Sequence, residues 1–533
     1  MFRACVLICL LYGVALSTEK QVELSRVAHG YALSQAHMLP LLSLREEATR
    51  ILRNYATVLT KRLAQVKLAT KQLEDFVTSK PSSDTIATFK QTREFYVDWR
   101  KWLNFLKEKH GYKEIAQLQS LRHIMPTKID YDEALYGIHR LQSTYRLDPA
   151  EMSVGLLKGR QNRCKKFNAV DCLMIGSVYY LNEDFQDAER WFQLALEKYH
   201  RDPNSKQFDI FGWSEDFILK LLMKAAQSSG RFKAALEYAE QALAIDRSHS
   251  FWQQQIPRLK NLSLTPEPPK PEQIIKYLFK PACRMEYPAK KYLRCHLLFS
   301  SPFLQLAPIK VEELNLDPPI NIYHNLIHNE EIVLIKALSN PHLRRTTTYT
   351  SSGELIEDFS NIRTSKSMRL KDNAHKLVKN LSQRVMDATG LSVVESEDLQ
   401  ISNYGIGGHF SEHQDAVPST YSKEFCVSGN RIITALFYLS DVELGGETVF
   451  PFLDLRVPTQ KGSLLVWYNL LLNGTSDWRV DHISCPILMG DKWIATKWFR
   501  EHPQMFIRPC PLKIKPLPEY SSNTLKKFLK KQF

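Results

Sequence analysis

The pair His413-x-Asp415, with His482 following 69 residues after the first histidine, constrains this chain more than any other feature. Two histidines and one carboxylate can occupy one face of a ferrous ion and leave the opposite face open to a cosubstrate and dioxygen. Residues i and i+2 of a strand project from the same face, so His413 and Asp415 can grip one ion together. The third ligand must then arrive from a distant strand, and Asp481-His482-Ile483-Ser484-Cys485 can supply it.

A lone H-x-D is common by chance, so its flanks decide. Leu399 to Tyr404 reads as a strand entering a glycine-rich turn at Gly405, Gly407 and Gly408, and the chain resumes as a strand from Phe410 through Asp415. The bland alternative is a satisfied surface histidine beside an aspartate. His409 shares strand parity with His413, but an H-x3-H spacing suits a helix, and His409 is read as a residue of the site rim. After His482, the segment Cys485 to Asp491 can turn and Lys492 to Phe499 returns as an adjacent strand. Alternation puts Lys492, Ile494 and Thr496 on one face and Trp493, Ala495 and Lys497 on the other. A buried lysine is costly unless it meets an anion. A dicarboxylate chelating the iron at one end would offer that anion at its other end. Lys497, by parity, is expected as a solvated charge. Tyr404 can add a hydroxyl to the same carboxylate or pack in the core; both readings are open.

With these residues in view, the region Leu399 to Cys510 resembles the catalytic domain of the collagen prolyl 4-hydroxylase alpha subunits, and the similarity extends more loosely over nearly the whole chain. The matching segments are Asn403-Tyr-Gly-Ile-Gly-Gly408, Gly429-Asn-Arg-Ile432, Phe437-Tyr-Leu-Ser-Asp441, Gly445-Gly446 with Thr448-Val-Phe-Pro451, Trp467-Tyr-Asn-Leu470, Cys485-Pro486, and the pairs Lys492-Trp493 and Lys497-Trp498. The resemblance implies that His413, Asp415 and His482 ligate Fe(II) and that Lys492 binds the C5 carboxylate of 2-oxoglutarate. It implies a 2-oxoglutarate-dependent dioxygenase using O2 and L-ascorbate, which hydroxylates proline at C4 in X-Pro-Gly sequences of collagen-like chains and yields succinate and carbon dioxide. The family usually has an aromatic residue where this chain has Gln414, and here Ala416-Val417 follow; these departures alter the wall of the site rather than its ligands. Two rival readings stand. One is a hydroxylase of lysine, disfavoured because those enzymes resemble one another around an arginine in place of Lys492. The other is a catalytically weak or silent subunit that binds proline-rich peptides and disulfide isomerase.

At 533 residues the chain is too long for one core. The expected class is α+β multidomain: all-α N-terminal helical and tetratricopeptide-like domains followed by a double-stranded β-helix (jelly-roll) catalytic domain. Arg3, the apolar run Ala4 to Leu16 and the small-residue site at Ser17 read as a secretory signal peptide over residues 1–17. A helical domain is expected over 18–140, a peptide-substrate-binding domain over 145–250, a proline-rich linker over 251–275, the dioxygenase domain over 276–513 and a basic tail over 514–533. The net charge of +14 is spread along the chain without an arginine-rich arm, which argues against a nucleic-acid site. No later segment is long and apolar enough to span a membrane.

In the first helical domain Leu52, Tyr55, Leu59, Leu63, Val66, Leu73 and Phe76 recur at three- and four-residue steps. That stripe fits internal packing or a dimer interface, and the resemblance favours dimerisation. Gly176, Tyr179, Ala188, Phe192 and Ala195, then Ala235, Tyr238 and Ala242, fall at the small and aromatic positions of two helix pairs. Tyr180 and Trp191 are candidates for stacking a proline-rich ligand, against the alternative of aromatics that pack helices. The resemblance implies protein disulfide isomerase as beta subunit of an alpha2beta2 tetramer, which would supply retention in the endoplasmic reticulum lumen, because the chain closes with Lys530-Lys531-Gln532-Phe533 rather than a retention tetrapeptide. Seven cysteines follow the signal segment. The resemblance implies the pairs Cys283 with Cys295 and Cys485 with Cys510; Cys164 and Cys172 are left to pair or stay free, and Cys426 is read as the leftover thiol. Asn261, Asn380 and Asn473 begin glycosylation sequons.

Overall fold

The computed structural model describes residues 30–77, 85–162, 166–264, 279–284, 293–349, 355–357, 362–417 and 427–509. The signal segment, Cys164, Cys426, Cys510 and the basic tail lie outside them. The described chain divides into two compact units, one of residues 37–127 and one of residues 30–36 with 128–509. Helix α1 (Pro40–Val77) dominates the first unit. Its 38 residues span about 57 Å at 1.5 Å per residue. Leu52, Leu59 and Leu63 of the expected stripe are 58%, 41% and 55% exposed, so the stripe is largely unpartnered within this unit. Tyr55 is half-buried, its ring set against Gly111; the side chains of Leu73 and Phe76 lie outside the described residues.

The second unit begins with helix α2 (Lys128–Tyr145), continues through two helix pairs, α3 (Ala169–Leu181) with α4 (Phe185–Arg201) and α5 (Glu215–Ser228) with α6 (Phe232–Ile245), and adds α7 (Ser250–Leu262). Capping explains where the pairs start. Asn168 and Asp171 form a reciprocal capping box on α3, and the Asp184 and Ser214 side chains cap α4 and α5. The small residues read from the sequence sit at helix contacts. A Cβ on Gly176 would lie 2.7 Å from the Phe192 ring, and Ala188, Ala195, Ala235 and Ala242 are buried. Two boundaries need correcting. Helix α2 belongs to the second unit, not to a domain ending at residue 140, because Gln142 on it accepts from both Tyr179 and Trp191 at 2.7 Å. Residues 251–262 are not linker but helix α7, whose Trp252 and Leu259 are fully buried; the proline-rich stretch beyond residue 264 lies outside the described residues.

After the short helix α8 (Phe279–Arg284), the chain becomes sheet-rich. The strands of its two larger sheets are β1 (Cys295–Leu298), β2 (Ile309–Leu316), β3 (Pro319–His324), β4 (Arg344–Arg345), β5 (Ser365–Leu370), β6 (Leu399–Tyr404), β7 (Phe410–His413), β8 (Arg431–Tyr438), β9 (Thr448–Phe450), β10 (Leu455–Val457), β11 (Leu464–Tyr468), β12 (His482–Ser484) and β13 (Trp493–Arg500). Nine of them form an antiparallel sheet in the order β1-β2-β3-β11-β8-β13-β6-β5-β4, and four form a second in the order β7-β12-β9-β10.

Strand parity divides the core. On β8, Ile433, Ala435 and Phe437 face a layer with helices α9 (Asn329–Ser339) and α10 (Lys376–Thr389), where Ile335, Val378 and Leu381 are buried. Leu436 and Tyr438 face the other way, into a cluster with Phe450, Val457, Trp467 and Ile494 from both sheets. Val449 and Ile483 of the small sheet, with Cys485 just past β12, join the core of α2 to α8. The helix pairs thus pack directly against the small sheet instead of hanging on a linker, while the two faces of the large sheet carry clusters of their own. Lys497 corrects a further expectation: it is fully buried and pairs with both Asp372 oxygens at 2.9 Å, because the face opposite Lys492 is covered by α10 rather than by water.

Candidate metal centre

Strands β7 and β12 pair so that His413 stands directly opposite His482. Asp415 lies two residues beyond the first histidine, just past the end of β7 rather than within it. The ligand atoms of His413, Asp415 and His482 all lie within 4.8 Å of one another. Each histidine Nε2 stands 3.8 Å from an Asp415 oxygen, one on Oδ1 and the other on Oδ2.

Neighbouring groups orient each ligand. His413 Nδ1 contacts the Ser411 carbonyl at 2.7 Å and His482 Nδ1 the Val480 carbonyl at 3.1 Å, which assigns the proton to Nδ1 and turns both Nε2 lone pairs inward. Thr434 Oγ1 donates to Asp415 Oδ2 at 2.7 Å and accepts from Asn469 Nδ2 at 2.9 Å. Phe410 stacks on His413 with centroids 3.5 Å apart, and Trp467 meets His482 edge-on. Burial, followed by the His482 charge, holds the His413 imidazole well below the usual histidine range. For Asp415 burial pushes upward, but both histidines and Arg431 outweigh it and bring the carboxyl to about 2. Neutral imidazoles beside an ionised carboxylate are the protonation states that a divalent cation requires, and an N2O donor set with one face free suits Fe(II).

A narrow cavity runs from these ligands along the inward faces of β6, β8 and β13 to Lys492. Ile494 and Thr496 line it with Lys492, as the alternation predicts. Lys492 is buried, and its Nζ donates to the Gly446 carbonyl at 2.6 Å and to Ser484 Oγ at 2.7 Å, 5.1 Å from the Tyr404 ring centre. Burial brings its pKa down to about 7.

Arg363 also lines the cavity, stacked over Phe410 and donating to Ser365 and Ser402. Sequence reasoning missed it and Thr434. Thr434 carried a legible signal, since it shares the parity of Leu436 and Tyr438 on an otherwise apolar strand. Arg363 carried none. His409 is buried behind the rim against Phe279, outside the ligand cluster.

Behind Asp415, Arg431 donates to the Asp415 carbonyl at 3.3 Å and to Glu397 at 2.5 and 2.8 Å. Arg369 and Arg500 also pair with Glu397, at 3.1 and 2.8 Å. Burial alone would raise the Glu397 carboxyl, but the three arginines overcome it and hold it at about 2, against 4.5 for a free glutamate. The depressed value means that the stabilisation is complete above about pH 4.5 and lost as pH falls towards 2, and its size is about 3 kcal/mol. Glu397→Gln should therefore lower unfolding free energy by about that amount at pH 7 and flatten the acid limb of the stability curve below pH 4.5. Urea unfolding at pH 7 and pH 3 checks it, and an equal loss at both would contradict the assignment.

Three other expectations change. Cys283 is bonded to Cys485, with Cα atoms 5.6 Å apart, not to Cys295. The resemblance implied the local pair, but the fold carries Cys295 to β1, an exposed edge strand, and sets α8 against the segment after β12. Cys485 is therefore not paired with Cys510. Trp191 is wholly buried with its Nε1 on Gln142, so it does not face a peptide groove. Tyr180 is half-buried, edge-on to Phe185 and 3.3 Å from Ser228 Oγ. Cys172 is buried and unbonded. Of the sequons, Asn473 sits in an exposed turn whose Oδ1 holds Thr475, while Asn261 and Asn380 are exposed on α7 and α10.

The donor set, the buried lysine and the cavity between them define the class, and comparison agrees: residues 399–500 match the 2OG-Fe(II) oxygenase superfamily. The cofactors are Fe(II) and 2-oxoglutarate. Residues 34–159 match the prolyl 4-hydroxylase alpha-subunit N-terminal region. The chain is 31% identical over 539 residues to prolyl 4-hydroxylase subunit alpha-2 of Caenorhabditis elegans, covering 96% of each chain. It is 30% identical over 526 residues to subunit alpha-1 of Homo sapiens, covering 91% of this chain and 96% of that one. The chain belongs to the prolyl 4-hydroxylase alpha-subunit family. A solved viral collagen prolyl hydroxylase of Paramecium bursaria Chlorella virus-1, with 2-oxoglutarate, aligns over 34% of this chain and 95% of its own at 18% identity, with a TM-score of 0.28.

Proposed function

We propose that this chain is a procollagen-proline 4-dioxygenase, adding a hydroxyl to C4 of proline in X-Pro-Gly sequences as 2-oxoglutarate is decarboxylated to succinate and carbon dioxide. The observation that carries the reading is the complete His413, Asp415 and His482 set at one end of a cavity and buried Lys492 at the other. Bound iron with 2-oxoglutarate supplies the oxidising power, and ascorbate is the expected reductant for iron lost to idle turnovers. The residues supply the rest. Lys492 and Ser484 hold the distal carboxylate, with Tyr404 beside them. Thr434 fixes Asp415, and Leu436, Trp467 and Ile494 keep the cavity dry.

A second cavity of about 870 Å³ meets the first at His413 and offers a path for a peptide chain. Its walls come from Tyr136, His139 and Arg140 on α2, from Lys280 on α8, and from Glu412, Gln414 and Asp481 on the metal side. We read the two facing sheets as a jelly-roll and the two helix pairs as a tetratricopeptide-like module holding the proline-rich chain, with Tyr180 as its remaining candidate aromatic. The exposed stripe on α1 supports a dimer of this subunit, completed by protein disulfide isomerase as beta subunit. The Cys283–Cys485 bond and the exposed sequons support the endoplasmic reticulum lumen, with Asn261, Asn380 and Asn473 as glycosylation sites. Among the described residues no helix is long and apolar enough to cross a membrane.

The anchoring role of Lys492 makes a proton count. Its pKa of about 7 must rise when a carboxylate arrives, so binding takes up a proton above pH 7 and almost none well below it. Calorimetric titration of 2-oxoglutarate in two buffers of different ionisation heat should show uptake approaching one proton at pH 8 and little at pH 6. Buffer-independent heats at pH 8 would remove Lys492 from the role. The overall reading is tested with a (Pro-Pro-Gly) repeat peptide, Fe(II) and ascorbate, by succinate formation and one added oxygen on prolines preceding glycine. Succinate without peptide oxidation would assign the chain a different client.

A further inference from the structure

We infer that the segment Gly30–Ser34, far from the catalytic half in sequence, is a built-in support of the site: it positions Asn403 and, through Asn403, the backbone that presents Lys492. This rests on the reading of Lys492 as the 2-oxoglutarate anchor.

Tyr31, Ala32 and Leu33 form one buried 3-10 turn, and Ser34 after it is fully buried. A buried serine must spend its hydroxyl on a partner. Ser34 Oγ donates to Asn403 Oδ1 at 2.5 Å across 369 residues of chain, and the Ala36 N–H donates to the same oxygen at 3.2 Å. The amide nitrogen of Asn403 faces the other way, donating to Asp491 Oδ1 at 2.6 Å and to the Lys492 carbonyl at 3.1 Å. This buried side chain therefore uses both donors and its acceptor, and each end grips a different part of the chain. Main-chain bonds run in parallel. The Tyr404 N–H donates to the Lys492 carbonyl at 3.2 Å, and the Ile406 N–H to the Ala32 carbonyl at 2.9 Å.

Gly405 supplies a separate observation. Its conformation does not call for glycine, unlike that of Gly407 at φ +54°. Space does: a Cβ at 405 would lie 1.9 Å from the Ala32 carbonyl oxygen and within 2.6 Å of the Leu33 backbone. The first glycine of the turn before the metal dyad is thus explained by the approach of the N-terminal segment. Withdrawing the segment would strip Asn403 Oδ1 of both donors in a dry interior and release the side chain that holds Asp491 and the Lys492 carbonyl.

The test uses the full chain loaded with Mn(II) without oxygen, so that 2-oxoglutarate binding is read apart from turnover. Ser34→Ala should weaken 2-oxoglutarate about five- to tenfold by calorimetry, with KM for 2-oxoglutarate rising in parallel and kcat changing far less. Ser34→Ala and Asn403→Ala should be non-additive in a double-mutant cycle. Unchanged affinity in Ser34→Ala, or strict additivity, overturns the proposal. Should Ser34→Ala fail to accumulate, amide exchange in the unaltered protein decides. The Ile406 N–H should exchange as slowly as the interior of β6, and exchange at the rate of an open turn would overturn the proposal. Lys492→Ala separates the two ideas. If it leaves 2-oxoglutarate affinity intact, the anchor reading fails on its own, and the exchange result then judges the support by the segment.

Discussion

His482→Ala should abolish hydroxylation while sparing peptide binding. The imidazole is one of three donors, and Asp415 leans on it electrostatically, so its loss both opens the metal's coordination and removes a partner of a buried carboxylate. A two-ligand site leaves the ion free to wander from the one orientation in which cosubstrate and proline meet. A loss of about 4 kcal/mol in transition-state stabilisation corresponds to roughly a thousandfold in rate, and the expected fall is at least that large. The helix pairs contribute none of the metal ligands, so affinity for a proline-rich peptide should stay within about twofold. Succinate release and peptide oxidation are read by mass spectrometry and binding by calorimetry on the same preparation. Turnover persisting at a tenth of the original rate would show that His482 is not a ligand. Absence of turnover in the unaltered protein, with the peptide still bound, would favour a silent binding subunit. Gln414, where the resemblance leads to the expectation of an aromatic residue and whose Oε1 accepts from Ser476 at 3.2 Å, is then the first residue to replace.

The residues legible in the sequence were those whose roles depend on local period. Lys492, Ile494 and Thr496 line one cavity because β13 alternates, and the close spacing of His413 and Asp415 brings both to one ion although the strand ends at the histidine. What stayed hidden depends on which distant surfaces meet. Lys497 looked like a solvated charge, since alternation gives the opposite face but does not say that α10 and Asp372 cover it. Trp191 looked available for stacking until α2 came to lie against it with Gln142 as a shared acceptor. Arg363 and Ser34 carried no local mark at all. Each owes its role to partners tens or hundreds of residues away, and a polar residue in an irregular segment reads the same whether it faces water or a core.

The disulfide offers the sharpest stability prediction, because it also separates the observed pairing from the local one. Cys283–Cys485 closes a loop of 202 residues. Chain-entropy arguments assign a crosslink of that span about 5 kcal/mol at 25 °C, and distortion or residual unfolded structure commonly reduces the yield to about 2–5 kcal/mol. Both cysteines are fully buried, and Cys485 directly follows Ser484, whose hydroxyl holds Lys492. Cys283→Ala should therefore lower the unfolding midpoint strongly, make it insensitive to added dithiothreitol, and loosen 2-oxoglutarate by a smaller factor through Ser484. Cys485→Ala should match it, and the double variant should cost no more than either alone. Cys295→Ala, on an exposed edge strand, should leave the midpoint within about 0.5 kcal/mol of the original and preserve its response to reductant. A Cys295→Ala protein as unstable as Cys283→Ala, or a Cys485→Ala protein as stable as the original, would show that the two halves are not crosslinked in this way.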